Sequence, residues 1–539
     1  MVFNTLGGIY YTETYEISKL DYGGSIPCFI GRTINPSKDY TKDATELAYR
    51  AKAITELKSA STSYTGAAIT EAEQTEENIQ AQIQVLKALP SDDSRHPDSA
   101  AINAQKNTAK ANDIAKHKIN ELQVFYNFDQ VNRTTLTDGK LDGLGDYNTE
   151  KEQNPLLNVI HDFCEETKMM TEEYVACPYF YVIDLGMADT ITPWINSIET
   201  SKIKREIDME IYVGFEGVTD TITTNGNTST VTVNPEDFIL AVNYELYVNR
   251  QTIGDFRKAF HTKLHTYTTE EATTDTTLTA GAYAPNTYYK KHYKALDSEL
   301  ITLAKNLTGA NNTNDQLFHT NETTGTYDSI TTLNTNTISK SRTYLCEPLW
   351  YGKTVGRISI TPYDMEPGYY EYNTLTSEDI ILRRPNERLQ LQMAGVIFNQ
   401  LEETSANEYV KINRTQSVSS NLTTHPPDSL YQSRHLTDEL ITKLFDAVYP
   451  QIKNKETETN IAYLQTQINK IVNDAIAQGD FVAPYMVNNE RKGTFFNLQE
   501  SSEDAYDLEV IGMAQPVNCT YSIHIIAQIN DARIKVTNA

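Results

Sequence analysis

Tryptophan and cysteine are scarce in this chain: 2 Trp and 5 Cys among 539 residues. Cys28, Cys164, Cys177, Cys346 and Cys519 are odd in number, far apart and without a C-x-x-C. That pattern argues against a disulfide framework and against a zinc ribbon. Basic charge is also short, with 46 Lys and Arg against 72 Asp and Glu and a net charge of −26. Phosphate backbones are held by clustered Lys and Arg that release counterions, so no nucleic acid is expected as a partner. No apolar run reaches the length of a transmembrane helix, so no membrane insertion is expected. Met1 to Tyr10 has neither the basic nor the apolar region of a secretory leader, and the expectation is a chain made and folded in a cytoplasm.

Catalytic signatures are missing too. There is no G-x-x-x-x-G-K-[ST], no G-x-G-x-x-G and no G-x-S-x-G. His261 and His265 stand four apart, a spacing that would place both on one helix face, but no third ligand lies near. Asp138-Gly139-Lys140-Leu141-Asp142-Gly143 resembles the start of a calcium loop, with Lys140 of the wrong charge at a ligand place and Thr149 where a bidentate Glu belongs. Glu165-Glu166 and Glu172-Glu173 are paired carboxylates of the kind that line solvated helix faces. Ile203-Lys204-Arg205 and Arg383-Arg384 are small basic spots, better suited to salt bridges than to phosphate. The expectation is no enzyme, no catalytic residue, no metal and no cofactor.

What the chain does have is alternation at its two ends. Ile9, Tyr11, Tyr15 and Ile17 are apolar at odd positions, with Thr12, Thr14 and Glu16 between them. Near the other end, Tyr521, Ile523, Ile525, Ala527 and Ile529 alternate with Ser522, His524, Gln528 and Asn530. The phase then flips, and Ala532, Ile534 and Val536 alternate with Arg533, Lys535 and Thr537. Period two marks half-buried strands, though Glu13 and Ile526 break it. Chain ends fray unless tied down, so strand-forming arms predict pairing with a sheet, including one in another copy of the chain. The 34 Tyr fit a protein with much half-wet surface.

Between the ends, Ile26 to Arg32 reads as a short buried strand. Tyr40 to about Asn127 is rich in Ala, Glu, Gln and Lys and reads as a helical hairpin, broken near Leu89–Asp93 and His96-Pro97. Tyr179–Leu185 reads as a strand. Thr192 and Pro193 open a helix that buries Trp194, Ile195 and Ile198, and Ile207–Val213 reads as the next strand, together a βαβ unit. Residues 216–345 are rich in Thr and Asn, with a hairpin about Asn225-Gly226 and short helices at 236–248 and 251–264. In the last third, Val355–Pro362 reads as a strand. Leu389, Met393, Val396, Ile397 and Leu401 mark a helix after Pro385, and Tyr409–Ile412 a strand. Leu436, Leu440, Leu444 and Val448 mark a helix stopped by Pro450. Ile461, Leu464, Ile468, Ile471 and Ala475 mark another, with Gly479 as its cap. Tyr506–Met513 reads as a strand. The fold class is α/β (α+β mixed).

Several of these segments are similar to one known family. Gly7-Gly8-Ile9-Tyr10-Tyr11-Thr12-Glu13 resembles the PG-x-Y-x-x-E opening of contractile tail sheath proteins, with Gly7 in place of the proline. Ser25–Arg32 resembles the first sheath strand. Arg384-Pro385 with the 389–401 segment, the 436–449 helix ending Tyr449-Pro450, and the strands through Ala532–Val536 resemble the sheath C-terminal domain. The resemblance covers about 1–35 and 345–539, and more loosely 178–215.

It implies a sheath-type core domain with inserted helical and Thr/Asn-rich β domains and extended terminal β-strand arms. The implied division is an arm at 1–25, a core part at 26–39 and 128–215, a helical insertion at 40–127 and an outer insertion at 216–345. A C-terminal sheath core at 346–515 and terminal strands at 516–539 complete it. It implies a structural subunit of a virion tail, assembled in the host cytoplasm, or of a related contractile injection system. Implied partners are further copies of the chain, the tail tube protein, and baseplate and tail terminator proteins. The alternatives are another virion part, such as a baseplate or tube protein, and a hydrolase or carbohydrate binder using 216–345.

Overall fold

The computed structural model describes residues 2–6, 9–13, 24–65, 75–151, 153–168, 177–204, 206–224, 227–253, 257–308, 342–362, 365–403, 408–418, 430–448, 458–487, 490–500, 508–517, 523–528 and 533–538. In chain order the strands are β1 (Val2–Leu6), β2 (Ile9–Glu13), β3 (Ile26–Gly31), β4 (Leu122–Phe125), β5 (Leu136–Thr137), β6 (Lys140–Leu141), β7 (Phe180–Asp184) and β8 (Ile207–Val213). Then come β9 (Thr219–Thr224), β10 (Asn227–Thr232), β11 (Lys258–Thr262), β12 (Thr343–Cys346), β13 (Val396–Ile397), β14 (Asn399–Glu403) and β15 (Glu408–Ile412). The last are β16 (Tyr485–Val487), β17 (Glu490–Lys492), β18 (Phe495–Glu500), β19 (Leu508–Met513), β20 (Ile523–Gln528) and β21 (Arg533–Asn538).

The centre is a seven-stranded sheet in the order β13-β12-β11-β8-β3-β7-β4. All of its pairings are parallel except β4 on β7. From β3 the chain reaches β7 on one side, crosses β3 to β8, and then runs outward through β11, β12 and β13. This is a doubly wound sheet whose direction reverses between β3 and β8.

Both faces are covered, as parallel sheets require. Ile26, Cys28 and Ile30 face one core, with Trp194 and Ile198 from the Thr192–Ser201 helix, Phe238 and Val242 from Pro235–Ile253, and Leu303 from Asn286–Thr308. Phe29 faces the other, with Val159, Ile160 and Phe163 from the Pro155–Thr167 helix and Val355 and Ile358 from Tyr351–Ile360. Phe163 and Phe180 meet the Phe29 ring edge-on at centroid distances of 4.9 and 5.7 Å.

The strand expected at Val355–Pro362 is instead the Tyr351–Ile360 helix, buried along its whole length. Its β-branched residues suggested a strand, and burial on every side removes the polar stripe that marks a surface helix. Gly352 and Gly356 let it lie against the Pro155–Thr167 helix. A Cβ on Gly352 would stand 2.1 Å from the Val159 carbonyl oxygen, and one on Gly356 3.2 Å from Thr167 Cγ2.

Further corrections follow the same logic. The helix expected through Leu401 ends at Met393. Gly395, with φ +80°, turns the chain into β13 and then β14. The two short helices at 236–248 and 251–264 are one helix, Pro235–Ile253, followed by β11. Residues 258–262 and 343–346 are strands of the main sheet, so 216–345 is not wholly an outer module. Likewise 40–127 is not a simple hairpin. It holds helices Thr41–Thr65, Glu76–Lys87 and Ser99–Ala115 and then gives β4 to the sheet edge. Thr192 makes no cap: Ile191 holds that position, without a side-chain bond.

The strands at 180–184, 207–213 and 408–412 stand where the pattern placed them, as do the Tyr431–Val448 and Glu458–Ala477 helices and Gly479 at φ +89°. Buried ion pairs join the body. Glu166 and Arg357, both 0% exposed, pair between the two glycine-packed helices. Arg383 bridges Asp297 at 2.8 Å and Glu347 at 2.7 Å. Asp438 receives Arg342, Arg434 at 2.8 Å and Lys258 at 3.8 Å, which ties the Tyr431–Val448 helix to the sheet. Burial alone would raise the Asp438 carboxyl, but these cations hold it well below the usual carboxylate range.

Candidate functional site

The terminal strands form ribbons of their own. β1 pairs antiparallel with β2, setting Val2 opposite Glu13 and Leu6 opposite Ile9. β20 pairs antiparallel with β21, setting Ile525 opposite Val536 and Ala527 opposite Ile534. Ile523 stands opposite Asn538. Of the arm residues singled out in the sequence, Ile9 and Tyr11 lie in β2, and Ile523, Ile525, Ala527, Ile534 and Val536 lie in β20 and β21. Tyr15, Ile17 and Ile529 lie outside the described residues. Neither ribbon joins the main sheet. A lone two-stranded ribbon is marginal in water and leaves two rows of unpaired backbone groups.

A third ribbon, β18 with β19, is anchored. Phe496, Leu498 and Val510 pack against a core made by Leu436, Leu440, Leu444, Ile468 and Val472. Gln465 acts as a mock strand on β18. Its Nε2 donates to the Phe496 carbonyl at 3.1 Å, and its Oε1 accepts from the Leu498 amide at 2.7 Å. This closes the outer edge of β18, and among the described residues β19 has no strand on its other side. The register pairs Phe496 with Gly512 and Leu498 with Val510. Antiparallel alternation therefore turns the backbone groups of Leu508, Val510 and Gly512 away from β18. Met513 at the end of this edge and Val517 just beyond it are exposed apolar side chains, as are Tyr485, Met486 and Val487 of β16. Within β17, Lys492 bonds Glu490 at 2.7 Å, which lowers the carboxyl and raises the ammonium from their usual values.

The candidate chemical groups resolve into structural ones. His261 and His265 share no helix: His261 is in β11 and His265 follows it. His265 Nε2 meets the Glu271 carboxylate at 3.2 Å. His261 is fully buried, stacked on Tyr212 at 4.9 Å, with no hydrogen-bond partner on either ring nitrogen among the described residues. Burial pushes its imidazole from the usual 6.5 down to about 3. As pH falls below 6.5 the unfolded chain takes up a proton that the folded chain refuses, so the fold is penalised progressively down to about pH 3. His261→Phe is therefore expected to gain on the parent by about 2 kcal/mol between pH 7.5 and pH 5, read from urea unfolding at the two pH values. An unchanged gap would contradict it.

Asp138 and Gly139, with φ of 53° and 77°, form the tight turn between β5 and β6. Lys140 Nζ donates to the His117 carbonyl at 2.9 Å. Glu166 is not on a solvated face but is spent on Arg357, the Asn373 amide and the Thr374 hydroxyl. Arg383 is a buried salt-bridge partner, as its type suggested. Glu172, Glu173 and Arg205 lie outside the described residues. No cluster of His, Cys, Asp or Glu able to hold a metal occurs among the described residues. Gln465 and the Asp438 cluster carried no signal in the sequence.

The chain is thus a doubly wound α/β body with two-stranded ribbons near both ends that pair with no other strand among the described residues. No family model matches it. No curated protein matches it. Among solved structures it is similar to a chain of the anti-feeding prophage helical sheath in its contracted state, at 9% identity and TM-score 0.43, covering 98% of this chain and 99% of that one. It is also similar to a chain of the anti-feeding prophage baseplate, at 9% identity and TM-score 0.40, covering 69% and 80%. A third is a chain of the contracted sheath complex of PVC, an extracellular contractile injection system, at 8% identity and TM-score 0.40, covering 70% and 80%.

Proposed function

We propose that this chain is the non-enzymatic subunit of a contractile tail sheath, in a phage-like tail or a related injection machine. One observation carries the reading: among the described residues, strands near both ends pair only with each other, and β19 has no strand partner besides β18. The sequence resemblance at 1–35 and 345–539 falls on the same elements. Subunits joined by strand addition would form a mesh around an inner tube, and each shared backbone bond contributes roughly 0.5–1.5 kcal/mol net.

Ile9, Tyr11, Tyr15, Ile17, Ile523, Ile525, Ala527, Ile529, Ile534 and Val536 are the proposed contact strands. The tail tube, baseplate and terminator proteins are the proposed partners, and a virion or virion-like tail the proposed location. The arms at 1–25 and 516–539 are proposed as the linking segments between bodies. Contraction would slide and rotate bodies without breaking the mesh, from an extended state held by a kinetic barrier. The buried ion pairs suit such a body, since losing one partner of such a pair is costly.

Electron microscopy of the purified full chain tests this. Wide hollow cylinders or stacked rings are expected, favoured by higher ionic strength because salt screens like-charged subunits. A monomer at high concentration across several salts would contradict it.

A further inference from the structure

A cavity of about 330 Å³ opens at the carboxyl edge of the main sheet. It is lined by residues that follow the parallel strands: Leu264 beyond β11, and Pro348 and Tyr351 beyond β12. Pro155 and Tyr283, also in its lining, stand against Gly214 at the end of β8, where a Cβ would lie 2.9 Å from Pro155 Cγ and 3.2 Å from the Tyr283 hydroxyl. The cavity therefore borders the β3–β8 reversal, the place where open α/β sheets bind ligands. Its volume is at the lower end for small-molecule sites.

Asn158, Asn286 and Thr287 belong to its lining, and its buried charged group is Asp162. Asp162 lines the cavity and is 7% exposed. Among the described residues the carboxylate touches a single polar group, the His161 Nδ1 at 3.3 Å. That imidazole is itself held by the Tyr147 ring, stacked at 4.0 Å. Tyr351, 2% exposed, lends ring surface to the wall, and its hydroxyl is buried out of reach of the cavity. Tyr283 and Tyr289 add aromatic surface, with their hydroxyls already engaged by the Gly214 carbonyl and the His265 amide. Lys151 also lines the cavity, but it is exposed and its ammonium lies over the Tyr147 ring at 5.8 Å. A buried carboxylate with a single polar partner and aromatic faces together suit a cation with N–H donors. An anion or a purely apolar ligand would leave the carboxylate unpaired at a cost.

We propose that this cavity binds an organic cation, an ammonium or guanidinium group like the head of a lysine or arginine, with Asp162 as its counter-ion. The source is either a free amine or the basic side chain of a neighbouring protein.

Titration calorimetry on the full-length chain with butylguanidinium, and with neutral butylurea of similar shape, tests the site whether or not the chain polymerises. Saturable binding of the cation is expected, with butylurea at least tenfold weaker. Asp162→Asn should weaken the cation at least tenfold, with thermal unfolding checked alongside. Thr287→Trp, an exposed lining residue, should also weaken it by obstructing the cavity while leaving Asp162 in place. No saturable binding, equal binding of butylurea, or an unchanged affinity in folded Asp162→Asn would overturn the proposal. Should Asp162→Asn fail to fold, unchanged affinity in Thr287→Trp would overturn it instead. Where the site is upheld, slowed assembly at saturating butylguanidinium assigns the cation to a neighbouring chain, and unaffected assembly assigns it to a free amine.

Discussion

Removal of residues 1–20 is expected to leave a folded body that no longer polymerises. The deletion takes away β1 and β2, neither of which joins the main sheet. The chain is fastened to the body just after the cut. The Ser25 amide donates to the Ser359 carbonyl at 2.8 Å, the Ser359 hydroxyl donates to the Ser25 carbonyl at 2.8 Å, and the Ser25 and Tyr431 hydroxyls bond at 2.7 Å. β3 then enters the centre of the sheet at Ile26. Thermal unfolding should therefore stay close to that of the parent, while sedimentation shows the loss of every large species. Unfolding of the truncated chain would place the arm within its own subunit's core and contradict the prediction.

Glu166→Ala is expected to be among the most damaging single changes in the body, at about 3–5 kcal/mol, because it takes the Glu166 carboxylate away from a buried guanidinium. Both residues are 0% exposed, and Arg357 sits on the helix that Gly352 and Gly356 press against the helix of Glu166. The same carboxylate also accepts from the Asn373 amide at 3.0 Å and the Thr374 hydroxyl at 2.8 Å, so three chain segments depend on it. Urea unfolding gives the difference directly. A loss below about 1 kcal/mol, the range of an exposed ion pair, would contradict this assignment.

Where one face of an element is wet, its pattern was legible. The Tyr431–Val448 helix shows Leu436, Leu440 and Leu444 on a single stripe, and all three are buried. β3 was legible as a short apolar run, and β7 as one interrupted by Asp184 alone. Legibility failed where burial is complete and polar groups are paired inside. β11 reads Lys-Ala-Phe-His-Thr, and every residue of it is buried. Lys258 is tolerated there through Asp438, and His261 through the Tyr212 ring. The Tyr351–Ile360 helix hid for the same reason, with Lys353 and Arg357 inside and two glycines where a helix former would be expected.

Of the candidate interface, the strands themselves were written in the alternation of Ile523, Ile525, Ala527, Ile534 and Val536. Their antiparallel pairing was not, because period two sets a face and leaves the partner open. Nor was the closed edge of β18, which depends on Gln465 reaching it from a helix some thirty residues earlier in the chain.

Cryo-microscopy of the assembled polymer, with the backbone traced through 1–20 and 516–539, tests the central claim most directly. A continuous sheet is predicted in which the terminal strands of one molecule are hydrogen-bonded to the Leu508–Met513 edge of another. Terminal ribbons that stay closed on themselves within a complete assembly, or that pair with their own body, would contradict it.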